Sequence, residues 1–213
     1  MANTTCFVRA AQLKELHEPK ELLSLSKLRF LKGLARGAIT EITGPRSSGR
    51  TSLALYILAQ ATQAGEVCAV VDLNNNFHPE SAALAGVRLE QLIWVRCGGN
   101  AEHAIRAADL LLHAGGFGVV LLDLSEATPR VLNRLPISYW YRFRQAVEHT
   151  PTVFLVCATS SQCKSSSTKR IELKVKAFHW TGAAPFLLLR GIESEANLHK
   201  ARAIQPQILS LVA

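Results

Sequence analysis

The chain reads as an α/β fold built on a largely parallel central sheet flanked by helices. Three observations predict it. Strand-like and helix-like segments alternate along most of the 213 residues. The segments EVCAVVDL (66–73) and FGVVLLDLSE (117–126) are continuous apolar runs that reach an acid, the pattern of a parallel strand buried on both faces. Finally, GAITEITG (37–44) runs into a glycine turn just before RTSLALYILAQATQAG (50–65), whose apolar residues recur with helical spacing.

Taken in order, residues 9–32 read as helical, with Leu13, Leu16, Leu22, Leu23, Leu25, Leu28 and Leu31 near helical spacing and Pro19 interrupting them. The strand 37–44 and the helix 50–65 follow, the helix ending at Gly65 as a C-terminal cap. After the strand 66–73 come a short helix, PESAALAGV, and a strand, QLIWVRC. NAEHAIRAADLLLHAG is a helix ending at a glycine pair, FGVVLLDLSE a buried strand, YWYRFRQAVEHTP a helix and TVFLVCATSS a strand. KRIELKVKAFHW alternates and reads as a more exposed strand, its lysines a candidate guarded edge. PFLLLRGIES closes the sheet region. The polar, basic SSQCKSSSTKR (160–170) reads as a mobile loop, and HKARAIQPQILSLVA (199–213) as either a docking tail or a final strand.

With 48% hydrophobic residues the chain can bury one substantial core. A net charge of +8 suits polyanionic partners, nucleic acid or an anionic membrane surface, and equally a basic protein with neither. The five cysteines are scattered, form no C-x-x-C pair and suit a reducing cytosol. No secretory pattern opens the sequence and no apolar run approaches the roughly 18 residues that span a bilayer, so a cytoplasmic protein is expected. His103 and His113 are ten positions apart, too far for one metal site.

The stretch GPRSSGRTS (44–52) nearly matches the phosphate loop G-x-x-x-x-G-K-[ST]. Gly44, Gly49, Thr51 and Ser52 fit, and Arg50 occupies the lysine slot. Arginine keeps the charge but replaces a compact ammonium with a planar fork. Gly44, Ser47, Ser48, Gly49, Arg50, Thr51 and Ser52 are therefore candidate phosphate ligands, the alternative being a glycine turn that merely joins strand to helix. Asp123, ending an apolar strand, is the candidate Walker B acid, and Thr51 with Asp123 would hold magnesium if nucleotide binds.

The phosphate loop, the strand ending V-D, the turn and helix HPESAALAGV and the strand containing LLD follow in the order and spacing of the RecA recombinase family, which the chain resembles over roughly residues 33–180. ITEITG, LEQLIWVR and the small size resemble its ImuA branch, RecA-like accessory factors of bacterial mutagenic translesion synthesis. The resemblance implies a RecA-like core at 33–192, preceded by an N-terminal helical segment at 1–32 and followed by a C-terminal tail at 193–213. It implies ATP with magnesium as the ancestral cofactor, weakened or lost here. The implied partners are a Y-family polymerase-like protein, a RecA protein and DNA, in a bacterial cytoplasm.

Departures from the family pattern cluster at the nucleotide site. The slot of the glutamate that activates water falls on Asn74, which cannot take a proton from water at neutral pH, so no catalytic residue is assigned. An aspartate and a tyrosine that contact adenine in the family fall on His78 and Ser81. Together with Arg50 these losses imply relaxed demand for ATP turnover.

The second half is basic. Arg142, Arg144, Lys164, Lys169, Arg170, Lys174 and Lys176 are candidate DNA ligands, with Arg130 and Arg134 upstream and Tyr139, Trp140, Tyr141 and Phe143 interleaved. Cations beside rings suit single-stranded nucleic acid. The alternative is a solvated basic face with Trp140 and Phe143 turned to the core. The family's two DNA-contacting loops fall near Ala127–Pro136 and on SSQCKSSSTKR, and FVRA (Phe7–Ala10) matches a subunit tether of some recombinases. Three functions fit: an adaptor in damage tolerance with a degenerate ATP site, a small DNA-dependent ATPase of recombinase type, and a damage-induced cell-division inhibitor.

Overall fold

A computed structural model describes residues 21–26, 28, 31, 33–183, 185–199 and 207–212. In chain order its elements are β1 (Leu22–Leu23), β2 (Leu34–Ala35), β3 (Ala38–Thr43), α1 (Arg50–Gln63), β4 (Cys68–Asp72), α2 (Pro79–Leu84), β5 (Leu92–Arg96) and α3 (Ala101–Ala114). There follow β6 (Val119–Leu124), α4 (Pro129–Leu132), α5 (Ile137–Val147), β7 (Val153–Ala158), β8 (Lys169–Thr181), β9 (Leu188–His199) and β10 (Gln207–Val212).

Eight strands form one sheet in the order β10-β9-β8-β3-β7-β6-β4-β5. From β8 to β5 every neighbouring pair is parallel, and β9 and β10 add antiparallel strands at one edge. The expected α/β fold with a largely parallel sheet is the one found. The alternation of side chains along each strand explains the continuous apolar runs. On β7, Val153, Leu155 and Cys157 join the core beneath α1, while Phe154, Val156 and Ala158 join the core beneath α3 and α5.

One segment departs from the sequence reading. The expected helix over 9–32 lies largely outside the described residues, as does FVRA, but Leu22–Leu23 is a strand paired antiparallel with Leu34–Ala35. Leu23, Leu25, Leu31 and Leu34 bury on the α1 side of the core, so their burial is met by a short ribbon laid over it. Gly33, at φ 87°, permits the close approach of the two strands: a Cβ there would lie 2.7 Å from the Leu23 carbonyl oxygen. At the other end, residues 207–212 pair with β9 as the final strand of the sheet, one of the two readings of 199–213.

The aromatic run of α5 divides between core and surface. Trp140 and Phe143 are fully buried, with Phe143 edge-on to Trp140 at 5.8 Å and to Phe154 at 5.3 Å between ring centroids. Tyr139 is half-buried against Phe143, and Tyr141 alone of the four faces solvent. The stacking surface expected of four rings is therefore reduced to one, because the helical repeat turns the others inward.

Replacing Phe143 with alanine leaves a cavity among Trp140, Phe154 and Val147. Urea denaturation should show a loss of about 3–5 kcal/mol. Tyr141→Ala should cost about 0.5 kcal/mol or less.

Candidate functional site

Parallel strands deliver their C-terminal ends to one edge, where ligand sites of α/β sheets form. The connections leaving β3, β4, β6 and β7 meet there. They enclose a cavity of about 370 Å³ lined by Thr51, Asn76, Phe77, His78, Asp123 and Ser125, among others.

The loop 44–49 leaves β3 in a geometry only small residues allow. A Cβ on Gly44 would lie 2.5 Å from the Leu173 carbonyl oxygen and 2.6 Å from Ser48 Oγ, so the loop presses directly on β8. Gly49 caps α1 in the left-handed region at φ 88°, and Ser47 also has positive φ, at 59°. α1 starts without a side-chain cap and without an acid in its first turn. By contrast, His78, Asn100 and Thr128 cap α2, α3 and α4. The first amides of α1 are left to bind an anion. Ser48 Oγ is buried and has no hydrogen-bond partner among the described residues. The uncapped amides of α1 and the unpartnered Ser48 Oγ are what fits an anion at this loop.

Arg50 does not take the lysine's place. It is only 5% exposed and its Nη1 donates to the Ser125 carbonyl oxygen at 3.3 Å. The guanidinium is turned inward to the end of β6, where its charge also favours ionised Asp123. Burial is the dominant influence on Asp123 and pushes its carboxyl above the ordinary 3.8; the Ser125 N–H, donating at 2.9 Å, works the other way. Thr51 and Asp123, the candidate magnesium pair, share the cavity wall. Arg46 crosses from the phosphate loop to contact Glu126 beyond β6.

The remaining family slots have acquired structural work. Asp72 is buried and accepts from the N–H groups of Asn76 (3.0 Å) and Phe77 (2.8 Å) and from Trp94 Nε1 (3.2 Å), fixing the loop that carries Asn74. Asn74 itself is exposed. His78 Nδ1 accepts from the Ser81 N–H at 3.2 Å and lies 3.0 Å from Ser81 Oγ, so the two residues at the adenine slots cap α2 together. Among the described residues no cluster of histidine, cysteine or carboxylate side chains could hold a metal ion, and no helix is long and apolar enough to cross a membrane.

Sequence reasoning missed Glu41. This carboxylate is fully buried on β3 and accepts from Ser161 Oγ (2.8 Å) and from the N–H groups of Gln162 and Cys163 (3.0 Å for the latter). It anchors the basic loop after β7 to the strand that feeds the phosphate loop. A charged residue inside an otherwise apolar strand was the available signal.

The candidate DNA ligands separate into three places. Arg142 and Arg144 lie exposed on α5, where Tyr141 Oη meets Ser165 Oγ at 3.0 Å and brings Lys164's turn alongside. Arg142 pairs with Asp109 of α3. Lys169 is withdrawn from any such surface: its Nζ donates to the Leu31 and Gly33 carbonyl oxygens, each at 2.7 Å, and burial pushes its pKa down. It holds the β1–β2 ribbon to the sheet. Arg170 is half-buried near Glu172, whose carboxyl is held low chiefly by His199. Lys174 and Lys176 lie on the β8–β9 hairpin, paired with Glu172 (3.8 Å) and Glu195 (2.6 Å).

Two measurements test this geometry. Because Asp123's pKa is raised in the folded chain, its contribution to stability is complete below about 3.8 and is lost as pH rises through the higher folded value. The difference in unfolding free energy between Asp123→Asn and the wild type should therefore grow in the variant's favour over that window and then level off. Glu41→Ala leaves two amides and a hydroxyl without their acceptor, and hydrogen exchange at Gln162 and Cys163 should accelerate at least tenfold, with a stability loss of about 1–3 kcal/mol.

Residues 20–131, just over half of the chain, match the RecA N-terminal domain family. Among curated proteins, Protein RecA of Deinococcus radiodurans is 41% identical over 109 residues, covering 51% of this chain and 30% of that protein. The mitochondrial DNA repair protein recA homolog of Dictyostelium discoideum is 41% identical over 100 residues, covering 46% and 22%. Protein RecA of Methylococcus capsulatus is 42% identical over 99 residues, covering 46% and 28%. The match thus spans less than a third of each relative's length. The family match takes in residues 44–52, Asp72 and Asp123, and because it covers more than half of the chain, the chain belongs to the RecA N-terminal domain family.

Proposed function

We propose that the chain is a RecA-like accessory protein of bacterial DNA-damage tolerance, an adaptor in translesion synthesis that binds protein partners and DNA and turns over little or no ATP. The partners this reading names are a Y-family polymerase-like protein and a RecA protein. Its relatives' names, Protein RecA and a DNA repair protein, support the setting. The observation that carries the reading is Arg50. A phosphate entering the loop would meet backbone amides and hydroxyls, but the cation of the lysine slot is buried on the Ser125 carbonyl oxygen.

The amides at the start of α1 would hold the phosphates of a bound nucleotide, and Thr51 and Asp123 would hold its magnesium, which would supply charge to the phosphates. On this chain's side Asn74 offers an amide in place of a base, so residue 74 itself takes no proton from water. Binding without turnover suits a scaffold whose loops are held by internal contacts, with Asp72, Glu41 and the His78–Ser81 cap each fixing one of them.

DNA contact is assigned to α5 and the neighbouring loop. From Ala127 to Val147 the chain carries Arg130, Arg134, Arg142 and Arg144 and no acid. Exposed Tyr141 supplies a ring beside them.

Steady-state assays should find no DNA-stimulated ATP hydrolysis by the wild-type chain, and robust turnover abolished by Asp123→Ala would refute the non-catalytic reading. Arg50→Lys combined with Asn74→Glu should tighten magnesium-dependent nucleotide binding at least tenfold. Arg142→Glu with Arg144→Glu should weaken binding to oligothymidylate at least tenfold and flatten its salt dependence, as expected when phosphate contacts are lost.

A further inference from the structure

The hairpin of β8 and β9 has features the adaptor's nucleotide and DNA sites do not use. β8 pairs with β3 only over Lys169–Glu172, yet continues to Thr181. Along Leu173–Thr181 no described strand pairs with that edge, while the other edge is fully paired with β9. The overhang begins where the phosphate loop presses on the Leu173 carbonyl oxygen, so the open edge starts beside the nucleotide site.

The same hairpin exposes large apolar side chains: Phe178 at 44%, Trp180 at 57%, Phe186 at 85%, and Leu187 and Leu188 at 55% and 56%. A folded chain that leaves five such groups in solvent over eleven residues marks a surface meant to be covered. From Leu173 to Ile192 the sequence has Lys174, Lys176 and Arg190 and no acid. The hairpin's carboxylates are already engaged, Glu172 with His199 at its base, and Glu193 with His179 and Glu195 with Lys176 on the strand opposite the overhang. Over 169–199 the formal charge is five cations against three carboxylates, a net of +2.

We propose that the β8 overhang is a docking edge for an extended, acidic and apolar peptide segment of a partner protein, which adds as a strand along Leu173–Thr181. Backbone bonds would give affinity, while Phe178, Trp180 and the leucines take its apolar side chains and Lys174 and Arg190 its carboxylates. A second copy of this chain fits poorly, because it would bring cations against cations. Nucleic acid uses rings and phosphate contacts but has no use for an open strand edge or for Leu187 and Leu188. The inference rests on the adaptor reading and locates its protein-binding surface.

The full chain is titrated with labelled ten-residue peptides in fluorescence anisotropy. One alternates leucine and phenylalanine with glutamate and aspartate, a second carries lysine in place of the acids, and a third is the acidic peptide N-methylated at alternate residues. The acidic peptide should bind saturably and the other two at least tenfold more weakly. Trp180→Ser with Leu187→Ser should cost at least tenfold in affinity with unchanged circular dichroism, and Arg190→Glu should weaken the acidic peptide while strengthening the basic one. Absence of saturable binding, equal affinity for the N-methylated peptide, indifference to the double variant, or displacement by oligothymidylate overturns the proposal. ATP turnover by the same chain would overturn the adaptor reading and leave the peptide result standing, because the hairpin variants retain Arg50 and Asn74.

Discussion

Asp72 and Asp123 end neighbouring parallel strands in direct register, and the sheet edge is organised by what each carboxylate requires. Two acids side by side at the mouth of an apolar core repel one another, and each needs donors or a cation. Asp72 obtains three donors by drawing in the loop after β4 and the Trp94 indole. Asp123 has the Ser125 N–H and the nearby charge of Arg50. The loop conformations, the inward turn of Arg50 and the cavity between them follow from this one demand. In a site that binds nucleotide with magnesium the metal's charge would be shared with the second acid. Here an arginine of the chain itself does part of that work.

Substituting arginine for lysine is consequential because of where the longer side chain can go. Residue 50 opens α1, and its side chain lies over the ends of the strands. An ammonium on a flexible stem can stand beside a phosphate, whereas the guanidinium has found a buried carbonyl acceptor. Such a group is withdrawn from the loop's anion site unless it gives up that bond. Residues 50 and 74 also differ in their surroundings: Arg50 is buried against the Ser125 carbonyl oxygen, while Asn74 is exposed.

Much of this was legible in the sequence. The apolar runs ending at Asp72 and Asp123 announced parallel strands, and GPRSSGRTS before a helical repeat announced the phosphate loop. What escaped were residues whose partners lie far along the chain. Glu41 receives its donors from residues 161–163, and Lys169 donates to carbonyls at 31 and 33. No local pattern distinguishes a lysine on a strand that reaches solvent from one that reaches back to a ribbon. The leucines at 22–31 misled for a related reason: their spacing matched a helix, but Leu22–Leu23 pairs as a short strand with Leu34–Ala35, and Leu23, Leu25 and Leu31 are buried in the α1-side core. The rings of α5 carried a helical signature that assigned Trp140 and Phe143 to the core, and its competition with a stacking surface was settled only by packing.

The family match ends at residue 131. Before that point lie the phosphate loop and the two aspartates; after it lie the arginine-bearing α5, the loop anchored on Glu41, and the long hairpin with its exposed rings. The two halves are nevertheless one mechanical unit, because β3 lies between β7 and β8 in the sheet. Glu41 ties β3 to the loop after β7, and Gly44 brings the phosphate loop against β8. An anion that reshaped residues 44–49 would press on the Leu173 carbonyl at the start of the hairpin overhang and on the strand that holds residues 161–163.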